Sequence, residues 1–120
     1  DYDSAFRICT KAAEQGFVNA QNNLGLMYAD GSGTPKDDKQ TFYWFTKAAE
    51  QGEVSAQHNL GLMYANGSGT PKDDKQAFHW FTKAADQGLV NAQHNLGLIY
   101  AYGSGGTPKD DKQAFYWFTK

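Results

Sequence analysis

The sequence predicts an all-α solenoid of stacked helix pairs, and three observations carry that expectation. Gln15-Gly16, Gln51-Gly52 and Gln87-Gly88 stand 36 residues apart, as do Leu24, Leu60 and Leu96, and as do Trp44 and Trp80. Trp117 trails by one, the extra glycine of the third loop. Within each unit the apolar residues fall at helical spacing, and a glycine stands where each helix must stop. A fixed period within about 20 to 50 residues is the mark of a solenoid of repeated supersecondary units.

Seven helices are expected, over 1–15, 18–30, 36–51, 54–66, 72–87, 90–102 and 109–120. The first helix of a unit is typified by VSAQHNLGLMYAN, in which Ala56, Leu60, Met63 and Tyr64 form one apolar stripe before Gly67 closes the helix in the left-handed region. In the second, PKDDKQAFHWFTKAADQ, Ala77, Trp80, Phe81, Ala84 and Ala85 make a broad apolar arc, ended by Gly88. Gly25, Gly61 and Gly97 lie in the middle of first helices, where glycine costs about 1 kcal/mol relative to alanine. Close approach of the paired helix, through the tryptophan of the next element, is the expected compensation.

The connecting loop GSGTPKDDKQ occupies 31–40 and recurs unchanged at 67–76, then once more with an added glycine at 103–113. A glycine-rich turn with lysine running into a helix has the ingredients of a phosphate cradle. Here Thr34-Pro35, Thr70-Pro71 and Thr107-Pro108 read instead as an N-cap with proline at the first helical position, and Asp37, Asp73 and Asp110 complete an acidic capping box. Asp38, Asp74 and Asp111 add a second carboxylate where a phosphate needs positive charge, and no Gly-Lys-Ser/Thr tripeptide precedes a helix. The loop punctuates helices and binds no phosphate on this reading.

At 120 residues the chain is long enough to bury a core without staples. A single cysteine, Cys9, rules out an internal disulfide framework, and no Cys/His spacing matches a zinc site. Lysine plus arginine number 11 against 13 aspartate plus glutamate, for a formal charge of -2 with both signs interleaved, so nucleic acid and anionic membrane are poor partners. No apolar run approaches the roughly 20 residues of a membrane helix, and no membrane insertion is expected. The chain opens at Asp1 without an initiator methionine and stops inside an expected helix, which reads as a segment of a longer protein, and its compartment stays undetermined.

Candidate chemistry is sparse. His58 and His94 fall at the same position of successive first helices, about 8 to 10 Å apart in a stack and too far for one zinc. His79 belongs to the outer arc of a second helix with Thr82 and Asp86. Most carboxylates lie in caps or on that outer arc, and no Ser/His/Asp or Cys/His arrangement occurs, so no catalytic residue, metal or cofactor is expected. The aromatic pairs Trp44-Phe45, Trp80-Phe81 and Trp117-Phe118 read as core rather than as a ligand box. Asn66-Gly67-Ser68 fits a glycosylation acceptor whose counterparts at Asp30 and Tyr102 do not, and is taken as chance. Cys9, standing where other units have phenylalanine, reads as a buried, inert thiol.

The run Ala56-x-x-x-Leu60-Gly61-x-x-Tyr64-x-x-Gly67-x-Gly69, followed by Ala77-x-x-Trp80-Phe81-x-Lys83-Ala84-Ala85-x-x-Gly88, resembles the Sel-1-like repeat, an αα-hairpin relative of the tetratricopeptide repeat. Ala20, Leu24, Gly25, Tyr28, Gly31 and Gly33 match in the first unit, and Ala92, Leu96, Gly97, Tyr100, Gly103 and Gly105 in the third. The resemblance implies a right-handed superhelix of about three repeats with flanking half-repeats, divided as 1–16, 17–52, 53–88 and 89–120. It also implies an adaptor or scaffold role in protein complexes. A cysteine-rich branch linked to β-lactam binding carries a disulfide in each repeat; this chain departs from it, and its first half-repeat has Ile8-Cys9 in place of Trp-Phe.

In αα-solenoids the first helices line the concave side. Opposite the core stripe they carry Asn19, Asn22, Asn23, Leu26 and Asp30 in unit one, Ser55, His58, Asn59, Leu62 and Asn66 in unit two, and Asn91, His94, Asn95, Leu98 and Tyr102 in unit three. Recurrent amides able to hold an extended backbone, beside an apolar leucine ladder, suit a protein or peptide partner. Two readings stay open for these residues, since the leucines can also pack on the next first helix and the asparagines can bond neighbouring units. The expected function is non-enzymatic protein interaction, with a structural spacer, or a sugar or β-lactam binder or enzyme, as alternatives. Half-repeats at both ends also predict end-to-end association of the isolated chain.

Overall fold

The computed structural model describes residues 1–104 and 106–120, so Gly105 of the matched repeat pattern lies outside the described residues. Seven helices follow one another, α1 Tyr2–Glu14, α2 Val18–Asp30, α3 Asp38–Glu50, α4 Val54–Asn66, α5 Asp74–Asp86, α6 Val90–Tyr102 and α7 Asp111–Phe118, and among the described residues there is no strand. Extensive packing runs between helices consecutive in the chain. The molecule measures 48 × 25 × 21 Å with a radius of gyration of 15.3 Å, above the roughly 13.5 Å of a compact domain of this length. The expected all-α repeat superhelix is what forms.

Each first helix ends as its sequence requires. Gly31, Gly67 and Gly103 adopt φ of 74°, 70° and 65°, and their N–H groups return to Met27, Met63 and Ile99. The starts of the second helices differ from the expectation. Asp37, Asp73 and Asp110, not the threonines, are the N-caps, and α3, α5 and α7 begin two residues later than expected, at Asp38, Asp74 and Asp111. The Asp37 carboxylate accepts from the N–H groups of Lys39 and Gln40, both at 3.1 Å, while its own N–H donates to Tyr28 O at 3.0 Å. Asp73 returns to Tyr64 and Asp110 to Tyr100 in the same way, which fixes the loop's exit and leaves the prolines outside the helices. A charged acceptor at the helix start outcompetes the threonine hydroxyl. The extra residue of the third loop is absorbed between Tyr100 and Asp110 without loss of that bond.

The core is a row of identical steps. Leu24, Leu60 and Leu96 are fully buried, with Ala48, Ala56, Ala84 and Ala92 beside them. Edge-on pairs Phe6–Tyr28, Phe42–Tyr64 and Phe78–Tyr100, with centroids 5.4, 5.4 and 5.7 Å apart, join each second helix to the next first helix. The compensation for the mid-helix glycines comes from phenylalanine rather than the expected tryptophan. A Cβ on Gly25 would stand 2.6 Å from the Phe45 ring, one on Gly61 2.8 Å from Phe81, and one on Gly97 2.5 Å from Phe118. The tryptophans lie beside this contact: Trp44 with Ala13 and Leu24, Trp80 against the cluster of Ala56 and Leu60, Trp117 against that of Ala92 and Leu96.

Units are also clipped together by amides that sequence reasoning passed over. Gln21, Gln57 and Gln93 donate through Nε2 to the carbonyls of Ala13, Ala49 and Ala85 on the preceding second helix, at 3.2, 3.2 and 3.1 Å. Gln21 Oε1 in turn accepts from Gln51 at 2.6 Å, and Gln57 Oε1 from Gln87 at 2.7 Å. Gln21 and Gln57 are buried, so each satisfied bond also avoids a desolvation penalty.

Two outcomes test this packing. Gly61→Ala lowers stability by about 1–3 kcal/mol in urea denaturation despite its better helix propensity, because the buried Phe81 ring must move, and Phe81→Leu in the same chain recovers part of the loss. Gln57→Leu destabilises by about 1–3 kcal/mol by removing both the bond to the Ala49 carbonyl and the acceptor of the Gln87 amide, read as a drop in denaturation midpoint.

Candidate interaction surface

The first helices present a stripe away from the core. On α2, Asn19, Asn23, Leu26 and Asp30 are exposed and Asn22 is half-buried; on α4, Ser55, Leu62 and Asn66 are exposed while His58 and Asn59 are half-buried. On α6, Asn91, His94 and Tyr102 are exposed, and Asn95 and Leu98 are half-buried. The leucines therefore differ along the row: Leu26 and Leu62 keep 40% and 36% of their surface in solvent, whereas Leu98 is more covered. Tyr102, at 77% exposure, is the most open aromatic of the stripe.

Adjacent first helices meet through this stripe. Asn95 Nδ2 lies 3.0 Å from His58 Nε2, joining α6 to α4, so at that position the amide bonds a neighbouring unit. With Asn95 as donor, the imidazole is neutral and carries its proton on Nδ1. The His58 ring also rests against Phe81, the residue wedged on Gly61, at a centroid distance of 5.7 Å, and His94 repeats the contact with Phe118. Asn22 holds the His58 position in the first unit, and its Oδ1 is buried without a hydrogen-bond partner.

The repeat pattern is also found outside this chain. The Sel1 repeat matches residues 1–17, 18–53, 54–89 and 90–120, which is the whole length. The chain belongs to the Sel1 repeat family. A Sel1 repeat protein of Oxalobacter formigenes superposes with a TM-score of 0.92 and 39% identity over 99% of this chain and 48% of the other. A protective antigen of uropathogenic Escherichia coli with an SLR fold gives 0.90 and 43% over 95% of this chain and 24% of its own. Among curated proteins, DAP3-binding cell death enhancer 1 of Rattus norvegicus is 49% identical over 37 residues, 31% of this chain. This chain spans 7% of that relative's length at the match. Sel1 repeat proteins are generally protein-interaction scaffolds.

Against the family's pattern, the first half-repeat is the weak one. Ile8 is 70% exposed where Trp44 in the next Sel1 unit is 8% exposed. Cys9, expected to be buried, is only half-buried; it donates its S–H to Ala20 O at 3.1 Å, and burial pushes its thiol pKa up. Burial first, then the carboxylates of Asp73 and Glu50, holds the Tyr64 phenol above its ordinary value; Tyr28 is treated alike by burial, Asp37 and Glu14. Among the described residues no three His, Cys, Asp or Glu side chains gather into a metal-binding group, and no helix is long and apolar enough to cross a membrane.

Burial holds the His58 pKa below its ordinary 6.5. The unfolded chain therefore takes up this proton first, and the stability held by the neutral ring is complete above about pH 6.5 and lost as pH falls through that value towards the lower folded pKa. His58→Asn, the residue of the first unit, removes the dependence: its urea midpoint falls less between about pH 7.5 and 5.5 than that of the parent chain.

Proposed function

We propose that this Sel1 repeat segment is a non-catalytic protein-interaction module, whose partner lies along the concave side lined by α2, α4 and α6. The observation that carries the reading is the recurrence of an open leucine, Leu26 and Leu62, at one address of successive first helices. A leucine facing solvent once is ordinary; the same position left open in consecutive units, flanked by amides, is what a binding row needs. Burial of an apolar side chain against a partner is worth about 25 cal/mol per Å² removed from water, so a row of them supplies affinity while the amides fix register.

The test is a pull-down from lysate of the source cell, comparing the parent chain with a Leu26→Glu, Leu62→Glu variant. Circular dichroism establishes first that the variant stays helical. Partners captured by the parent drop at least about tenfold with the variant, since each glutamate would lose its hydration on binding. A Lys47→Glu, Lys83→Glu variant on the second helices keeps them. Equal capture by all three proteins would move the site off this face.

A further inference from the structure

The first helices are exposed along one stripe and yet almost free of charge. Neither α4 nor α6 contains an Asp, Glu, Lys or Arg, and α2 has Asp30 alone, at its last position. The charges sit in the loops and on the second helices, which open with Asp-Lys and carry Lys47 with Glu50 and Lys83 with Asp86. An exposed helical face ordinarily bears charge, because solvation and solubility favour it. Burial explains a neutral stripe only where the stripe is buried, and Asn19, Leu26, Leu62, Asn66, Asn91 and Tyr102 are not.

We infer that the segment held here is an extended, uncharged peptide stretch of the partner, with an apolar side chain at about every third position; this rests on the face assignment proposed above. A charged side chain brought onto α4 or α6 would be stripped of water with nothing of opposite sign on those helices to receive it. Asparagine heads offer both a donor and an acceptor to a peptide backbone, and the leucines take an apolar side chain each. The spacing follows from the His58–Asn95 bond of 3.0 Å, which keeps successive first helices in side-chain reach. Packed helices lie about 8–10 Å apart, and a chain extended in the polyproline II form advances about 3.1 Å per residue with three residues per turn, so one unit corresponds to three residues of ligand and returns a side chain to the same face.

The experiment is selection of a displayed random dodecapeptide library on the immobilised chain. Enriched peptides, synthesised with a dye, are then titrated by fluorescence anisotropy. Expected are sequences depleted in Asp, Glu, Lys and Arg relative to the naive library, apolar at i, i+3 and i+6. Their affinity changes less than about twofold between 0.05 and 0.5 M salt, as binding without ion pairs requires. Binding falls at least about tenfold in Leu62→Glu, and also in Ser55→Glu, a change at an exposed helical position that keeps the test open if the leucine variant unfolds.

Charged peptides whose binding is lost in these variants, or weakens about tenfold over the same salt range, would overturn the neutral ligand and leave the face standing. Peptides indifferent to both variants would overturn the face itself. No enrichment, or a concentration-dependent dimer in sedimentation that Leu62→Glu abolishes, would overturn the peptide altogether, the latter by making a second copy the occupant.

Discussion

The contact on which the rest of the structure depends is a phenylalanine ring laid on a glycine in the middle of a helix. Phe45 on Gly25, Phe81 on Gly61 and Phe118 on Gly97 bring the two helices of a unit closer than any side chain at the glycine would permit. That closeness decides several things together. It gives the leucine of each first helix its full burial one residue earlier, and it turns the histidine three residues before the glycine onto the same ring. It also sends the other side of the first helix outward, where the asparagine and leucine stripe emerges. The helix-propensity penalty of a central glycine is about 1 kcal/mol, small beside the apolar area that the ring buries.

Much of this was legible in the sequence, and for a physical reason. Helix spacing, glycine stops and a fixed period are local properties, so the seven helices and the stops after Asp30, Asn66 and Tyr102 follow from composition in order. What was not legible depended on competition between neighbours. Thr34 and Asp37 are both good caps, and the charged acceptor at Asp37 together with the bond from its N–H to Tyr28 O decides between them. Trp44 and Phe45 are both large and adjacent, and only the rotation of α3 against α2 decides which meets Gly25.

The glutamine clips show a different kind of miss. Gln51 and Gln87 were visible as markers of the period and Gln57 recurred with them, yet a polar residue in a regular pattern reads as surface until its partners are known. Here the partners are a carbonyl on the preceding helix and the amide of the glutamine that caps the unit's own second helix. On the first-helix stripe, the same uncertainty divides residues by address: Asn95 is engaged with His58, whereas Asn19, Asn66 and Asn91 face solvent. A single reading for every asparagine would have been wrong in either direction.

The clip has a consequence for how such a chain can change length. Gln21, Gln57 and Gln93 each bond to the same address in the unit before, and Gln21 and Gln57 also accept from the glutamine that ends the second helix of their own unit. Translating the chain by one whole unit therefore exchanges every junction for an equivalent one, with no new surface to be fitted. A gene segment encoding one period can be duplicated or excised in frame and leave junctions the fold already knows, so the span of the solenoid is free to vary while its cross-section is conserved.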